Sequence, residues 1–467
     1  MAAKALYTKT LADWAVRSDF SFSDQSLDRA RTAILDSAGC MLGGLNDPAA
    51  LAMAGAVASW APSDASGPSE SPAVWNALVG GVAAHALDFD DNFFPPISHA
   101  SAVLTPALLA LAAETGSRQQ EVLEAYIIGL EVQARMGQAA NPGHYESGWH
   151  ATSTLGTVGA AVACARLCRL DAVGMLHALS LAFSFCGGSK LQFGTMAKPA
   201  HAGFAAMHAV MAATMARAGI SANPEPFAAK WGFLDLFHGS DKTPAVPSLF
   251  PERPLAIDEF GLVAKLYPSC MSSHLGIDGL LDMRAQGMFR DGLPVAVEIH
   301  MPSYMIANLR FSDPQNEMEA RFSMHYCAAV AMIDGVPRLA HFTPEGIARE
   351  DLRALLSRVS MHPRIASRQA AALPWGGDAL VVARFADGES VAREVLYPKG
   401  CNQNPLTPEE SRGKFLDCAM RLVPGEMAEL LFRAFQTFGG PEPCARLTNM
   451  IRDAWRAGDR CNTRHTR

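Results

Sequence analysis

The chain has 467 residues, of which 49% are hydrophobic and only 18% charged, enough to bury an extensive core and fill two or three domains. That composition excludes a disordered or fibrous chain. A formal net charge of −7, with no basic stripe interleaved with aromatics, argues against a nucleic-acid or membrane-surface partner.

The N-terminal stretch MAAKALYTKTLADWAV is amphipathic and lacks the apolar run of a signal peptide. No apolar stretch of roughly 18 residues follows, so a soluble, cytoplasmic protein is expected. The ten cysteines contain no CxxC pair and read as free thiols of a reducing compartment. Cys164 and Cys168 stand four apart on a predicted helix, but no matching His/Cys pair lies near them.

Helix follows helix over the first 265 or so residues. DQSLDRARTAILDSAGCMLGGL opens with a capping aspartate and repeats apolar residues at Leu27, Ile34, Leu35, Ala38, Met41 and Leu42. Next come VWNALVGGVAAHALDF, LTPALLALAAETG closed by Gly116, and RQQEVLEAYIIGLEVQARMGQAA. TSTLGTVGAAVACARLCRL, AVGMLHALSLAFSFC and PAHAGFAAMHAVMAATMARAG complete the run, the last with Gly219 at its C-terminal end. The abundance of Ala and Gly lets such helices approach closely, the pattern of an orthogonal bundle.

After AKLYPSC the texture changes. LPVAVEIHMP alternates as a strand does, and ALVVARFADGESVAREVLY signals a hairpin on Asp387-Gly388. EARFSMHYCAAVAMIDG and REDLRALLSRVS between them read as helix. TPEESRGKFLDCAMRLV and GEMAELLFRAF return to helix, and the tail RAGDRCNTRHTR reads as frayed. The expected fold is mostly α: a helical domain from 1–266 and 401–467, with a smaller α+β domain inserted at 267–400.

Polar islands interrupt this apolar chain at element boundaries, where side chains project into clefts. ALDFDDNFFPPISHAS (86–101) carries Asp88, Asp90, Asp91 and His99. NPGHYESGWHATST carries His144, Tyr145 and His150; FGTMAKPAHAG carries Lys198 and His201; YPSCMSSHLGID carries His274; RFSMHYCAA carries Tyr326. Each histidine taken alone reads as a structural hydrogen-bonder, and Lys198 alone as a solvated residue; five islands together point to a site. No dinucleotide-binding, Walker, zincin or nucleophile-elbow motif competes. Cys270 reads as a packing residue rather than a nucleophile.

In their order, HALDFDD…H, GWHATSTLGTVGAA, GTMAKPAHAGFAA, YPSC…SHLGIDGLL and NPLTPEESRGKF resemble the MmgE/PrpD family over about residues 7–430. The resemblance implies a large all-helical domain with a smaller α+β lid, a homodimer, and an active site that uses no metal or organic cofactor. It places site positions on Asp88, His99, His150, Lys198, His274 and Tyr326. The family includes 2-methylcitrate dehydratases, cis-aconitate decarboxylases and an iminodisuccinate epimerase, so a di- or tricarboxylate substrate and proton transfer at the carbon beside a carboxylate are expected. Lys198 is a candidate base or carboxylate clamp, the histidines are candidate acids or bases, and Tyr145 and Tyr326 candidate proton donors.

The first motif departs from the dehydratase pattern: Asn92-Phe93-Phe94 stands for Thr-Trp-His, and Ala100 for Pro. This departure, with Tyr145 as a second acid opposite Lys198, favours epimerisation of an iminodisuccinate-like substrate; dehydration or decarboxylation is the alternative. A non-catalytic, polycarboxylate-binding dimer is the reading from a different class.

Overall fold

The computed structural model describes residues 7–17, 21–60, 72–238, 254–289 and 292–462. The chain divides into two compact units, one of residues 1–262 and 411–467, the other of residues 263–410. The first is helical and the second carries a small sheet, so the chain is mostly α.

In the first unit the helices are α1 (Tyr7–Ala15), α2 (Asp24–Gly44), α3 (Pro48–Trp60), α4 (Ala73–Ala86), α5 (Ser101–Thr115) and α6 (Gln119–Ala140). They continue as α7 (Ala151–Leu167), α8 (Ala172–Ser184) and α9 (Ala197–Arg217). Ser23, one residue before the expected aspartate, caps α2: its hydroxyl accepts from Ser26 N at 3.1 Å. A hydroxyl at that position answers the first free N–H groups, and Asp24 instead lies inside the first turn. Helix α5 ends as expected, with Gly116 in the left-handed conformation at φ 67°.

Small residues fix how these helices cross. A Cβ at Gly81 of α4 would lie 2.7 Å from Gly203 Cα of α9, and one at Gly129 of α6 would lie 2.7 Å from Gly159 O of α7. At both crossings backbone meets backbone, which only glycine permits. The C-terminal end of α4 and the N-terminal end of α9 are thereby held side by side.

The second unit contains α10 (His274–Ala285), β1 (Ala296–Met301), α11 (Met324–Ile333), β2 (Val359–Pro363), β3 (Ala379–Arg384) and β4 (Ser390–Val395). The strands are ordered β2-β1-β3-β4, with β1 parallel to β2 and antiparallel to β3. The hairpin joins β3 and β4, pairing Arg384 with Ser390, and Gly388 takes φ 89° in its turn. Strand β2 departs from expectation, because the pattern of REDLRALLSRVS predicts helix to its end. The helix stops at Leu356, and Val359 begins a strand. Likewise EARFSMHYCAAVAMIDG is not one helix: Glu317–Ala320 and α11 are separated by a break in which Ser323 caps α11. Buried Val297, Ile299 and Met301 alternate with half-exposed neighbours, as a sheet with one covered face requires.

The chain returns to helix with α12 (Pro408–Ala419), α13 (Gly425–Gln436) and α14 (Ala445–Asn462). The tail read as frayed is therefore helical as far as Asn462, and residues 463–467 lie outside the described residues. Every cysteine whose side chain is described is a free thiol. Among the described residues no helix is long and apolar enough to cross a membrane.

Candidate active site

Four helix ends build the candidate site in the first unit. His85 lies in the last turn of α4, His99 just precedes α5, His150 is the N-cap residue of α7, and Lys198 and His201 share the first turns of α9. The three N-terminal ends carry partial positive charge, a favourable setting for substrate carboxylates.

The three aspartates after α4 have three separate tasks. Asp88, turned into the left-handed region at φ 51°, forms a buried ion pair with Lys198. Asp90 accepts from His85 Nδ1 at 2.8 Å and lies 3.2 Å from His99 Nδ1. Asp91 accepts from the Ser101 hydroxyl, which also contacts Tyr126 Oη at 2.6 Å.

These contacts assign protons. His99 Nδ1 also lies 2.9 Å from the Asp91 carbonyl oxygen, which can only accept, so Nδ1 carries the proton. His99 Nε2 is then the basic nitrogen of the neutral ring. Burial pushes the Asp90 carboxyl up, but the His85 and His99 rings that surround it more than offset this and hold it well below the usual carboxylate range. Burial lowers His85 to about 3, partly countered by Asp90, so His85 is a neutral N–H donor at ordinary pH. Burial raises Asp91 to about 7 against the opposing pull of Ser101.

His150 completes the cluster. Its ring centroid is 5.9 Å from that of His85, which in turn is 4.5 Å from that of His99. Phe193 forms an apolar wall, 5.0 Å from the His150 ring and 5.6 Å from Lys198 Nζ. Burial, then the nearby His85 and Lys198, hold the His150 imidazole well below its ordinary range. His85 Nε2 and His150 Nε2 are buried and meet no hydrogen-bond partner among the described residues.

The other expected positions have different surroundings. Tyr145 lies on the short helix Gly143–Glu146, with Lys190 Nζ 3.5 Å from its ring centroid. His144 is structural: it joins the Phe237 carbonyl (2.8 Å) to the Thr154 hydroxyl (2.7 Å). In the second unit His274 begins α10, its ring 4.9 Å from Tyr267, whose hydroxyl donates to Asp278 at 2.5 Å. Tyr326 on α11 donates its hydroxyl proton to the His341 carbonyl at 2.5 Å, and burial pushes its pKa up.

Sequence reasoning did not select His85, Asp90 or His201 as site residues. His85 sits among alanines inside an apolar helix, and its importance comes only from facing Asp90. The signal for His201 was present, three residues after Lys198 and so on the same helix face. His85, Asp90 and His99 offer ligand atoms within 4.8 Å of one another, close enough to hold a metal ion. Sequence spacing did not anticipate this triple. Its two Nδ1 atoms are committed to hydrogen bonds with Asp90 and with the Asp91 carbonyl.

Residues 9–245 match the MmgE/PrpD N-terminal domain, and residues 267–436 match the MmgE/PrpD C-terminal domain. The chain belongs to the MmgE/PrpD family. It is 27% identical over 391 residues to a cis-aconitate decarboxylase of Homo sapiens, covering 82% of this chain and 80% of that protein. It is 26% identical over 396 residues to a cis-aconitate decarboxylase of Mus musculus, covering 82% and 79%. A cis-aconitate decarboxylase-like protein, oryM, of Aspergillus oryzae is 24% identical over 433 residues, covering 86% and 87%. These relatives bear decarboxylase names; none is named an epimerase.

Proposed function

We propose that this protein is a lyase that decarboxylates an unsaturated tricarboxylate of the cis-aconitate type, without metal or organic cofactor. The observation that carries the reading is the grouping of Lys198, His99 and His150 at three helix N-termini. The names of the relatives choose decarboxylation within the family's range of reactions. This replaces the preference for epimerisation. That preference leaned on the loss of Thr-Trp-His at Asn92-Phe93-Phe94 and on Tyr145 as a second acid; of these, Phe93 is fully buried in the bundle core and paired with Ser98, which fits loop packing.

The chemistry follows from the charges. Lys198 and the helix ends hold substrate carboxylates. When the C–CO2 bond breaks, its electron pair remains on the organic fragment and delocalises into the neighbouring unsaturated acid. That developing charge is what a preorganised cation and N–H donors stabilise. One proton must then reach carbon, and an imidazole N–H of the cluster supplies it.

Incubation with cis-aconitate, followed by CO2 release and proton uptake, tests the reading. Stoichiometric CO2 with one proton consumed supports it. Exchange of solvent deuterium into a single-enantiomer imino-linked dicarboxylate, with racemisation and no CO2, would restore epimerisation. Loss of water from a hydroxy-tricarboxylate would indicate a dehydratase.

A further inference from the structure

We infer that His150 and His201 form a two-imidazole relay that carries the proton consumed in each turnover from solvent to the substrate carbon. The inference rests on the lyase reading, because a decarboxylation takes up a proton every cycle whereas an epimerisation takes up none.

The geometry is specific. His150 Nδ1 and His201 Nδ1 are 3.0 Å apart. Two lone pairs at that distance would repel and two N–H groups would clash, so the pair holds a single proton between its facing nitrogens. The opposite nitrogen of His150, Nε2, is buried without a hydrogen-bond partner among the described residues. His150 is 2% exposed and His201 7%, so His201 is the member nearer to water. His201 also stands one turn beyond Lys198 on α9, which ties the outer end of the pair to the same helix that bears the ammonium group. By contrast, the Nδ1 atoms of His85 and His99 end on a carboxylate and a carbonyl, which offer no imidazole to pass a proton on. Burial lowers both His150 and His201, which keeps the pair neutral and leaves its one shared proton free to change sides.

The step balances as follows. His150 Nε2–H gives its proton to a carbon of the delocalised carbanion left by loss of CO2. The His201 Nδ1 proton crosses to His150 Nδ1, and His201 Nε2 takes a proton from solvent. One C–H bond forms, one solvent proton is consumed, and both rings end neutral with their tautomers exchanged. After product release, water protonates His150 Nε2, the shared proton returns to His201 Nδ1, and His201 Nε2 releases a proton, with no net change.

Two measurements test this. In the resting protein labelled with 15N-histidine, a scalar coupling across the His150–His201 hydrogen bond is expected, whatever the substrate; its absence, with both rings assigned, overturns the relay. With cis-aconitate, His201→Ala at low buffer concentration is expected to lose about tenfold or more in kcat, with KM changed less. Added imidazole should restore kcat saturably, a response that a purely structural histidine would not give. His201→Asn serves the same purpose if the alanine variant folds poorly. Unchanged kcat, or a loss that imidazole does not repair in a folded variant, overturns the proposal. If the wild-type chain releases no CO2, the lyase reading falls and the coupling measurement alone decides whether the proton is shared.

Discussion

Asp88 and Lys198 are 110 residues apart in sequence, yet they form an ion pair in which both side chains are almost fully buried. The pair exists because α4 and α9 cross on Gly81 and Gly203, so its formation reports the bundle's packing as well as its chemistry.

Lys198→Met should therefore damage both stability and turnover. Removing the ammonium leaves a buried carboxylate without its main counter-charge, at a cost of about 3–5 kcal/mol. Turnover should fall by about 10²–10⁴-fold. Adding Asp88→Asn, which suits the left-handed backbone at that position, should recover much of the stability but none of the activity. Urea unfolding and CO2 release measure the two effects separately. A Lys198→Met variant with wild-type turnover would remove Lys198 from the mechanism.

Asp90→Asn isolates the role of the buried triple. The amide keeps the volume but presents one acceptor and an N–H pair to two imidazole N–H groups. His99 then loses one of the two acceptors that hold its Nδ1 proton in place. The expected result is a fall in kcat of about 10²–10⁴-fold, with KM changed much less. Equal losses in kcat and binding, or none, would make Asp90 a packing residue.

The same triple bears on metal dependence. A cation held by His85, Asp90 and His99 would have to displace the protons that now fix both rings. Turnover is accordingly expected to survive exhaustive chelation and to gain nothing from added zinc or iron. Metal that co-purifies stoichiometrically, and whose removal abolishes CO2 release, would contradict this.

Much of the candidate site was legible in the sequence because its polar side chains sit where helices end. His99 follows the Pro95-Pro96 loop, His150 follows Gly148-Trp149, and Lys198 precedes Pro199 in the first turn of its helix. What was not legible depends on tertiary pairing. His85 reads as a core histidine until α4 is seen to end beside Asp90, and β2 reads as the tail of a helix until its parallel pairing with β1 is known.

Stability should depend on pH through groups with opposite signs. Asp91 is raised to about 7 and Glu131 to about 7, in both cases chiefly by burial. The folded state therefore holds a proton that the unfolded state releases, so their contribution is present below the ordinary carboxylate pKa of about 4 and is lost as pH rises towards 7. His85, at about 3, and His144, at about 4, act in the other direction. Each is kept neutral by burial, and its contribution is lost as pH falls below about 6.5. Asp91→Asn removes one term cleanly. Its stability relative to wild type should improve steadily between about pH 4 and 7, read from urea midpoints across that range. A pH-independent difference would mean that Asp91 does not titrate there.

Gly81→Ala tests whether helix crossing, and not only side-chain identity, sets up the site. The added methyl would lie 2.7 Å from Gly203 Cα and 2.8 Å from the Ala202 carbonyl oxygen, both backbone atoms that cannot rotate away. Helices α4 and α9 must then move apart, at an expected cost of about 1–3 kcal/mol for overpacking. Since α4 leads into Asp88 while α9 carries Lys198 and His201, turnover should fall further than the loss of folded protein explains. Gly55→Ala on exposed α3 is the control, because a Cβ there meets nothing within 4 Å. It should be neutral or stabilise by about 0.4–1 kcal/mol, with turnover unchanged. If Gly81→Ala matches the control in both urea midpoint and kcat, the close crossing does not position the site.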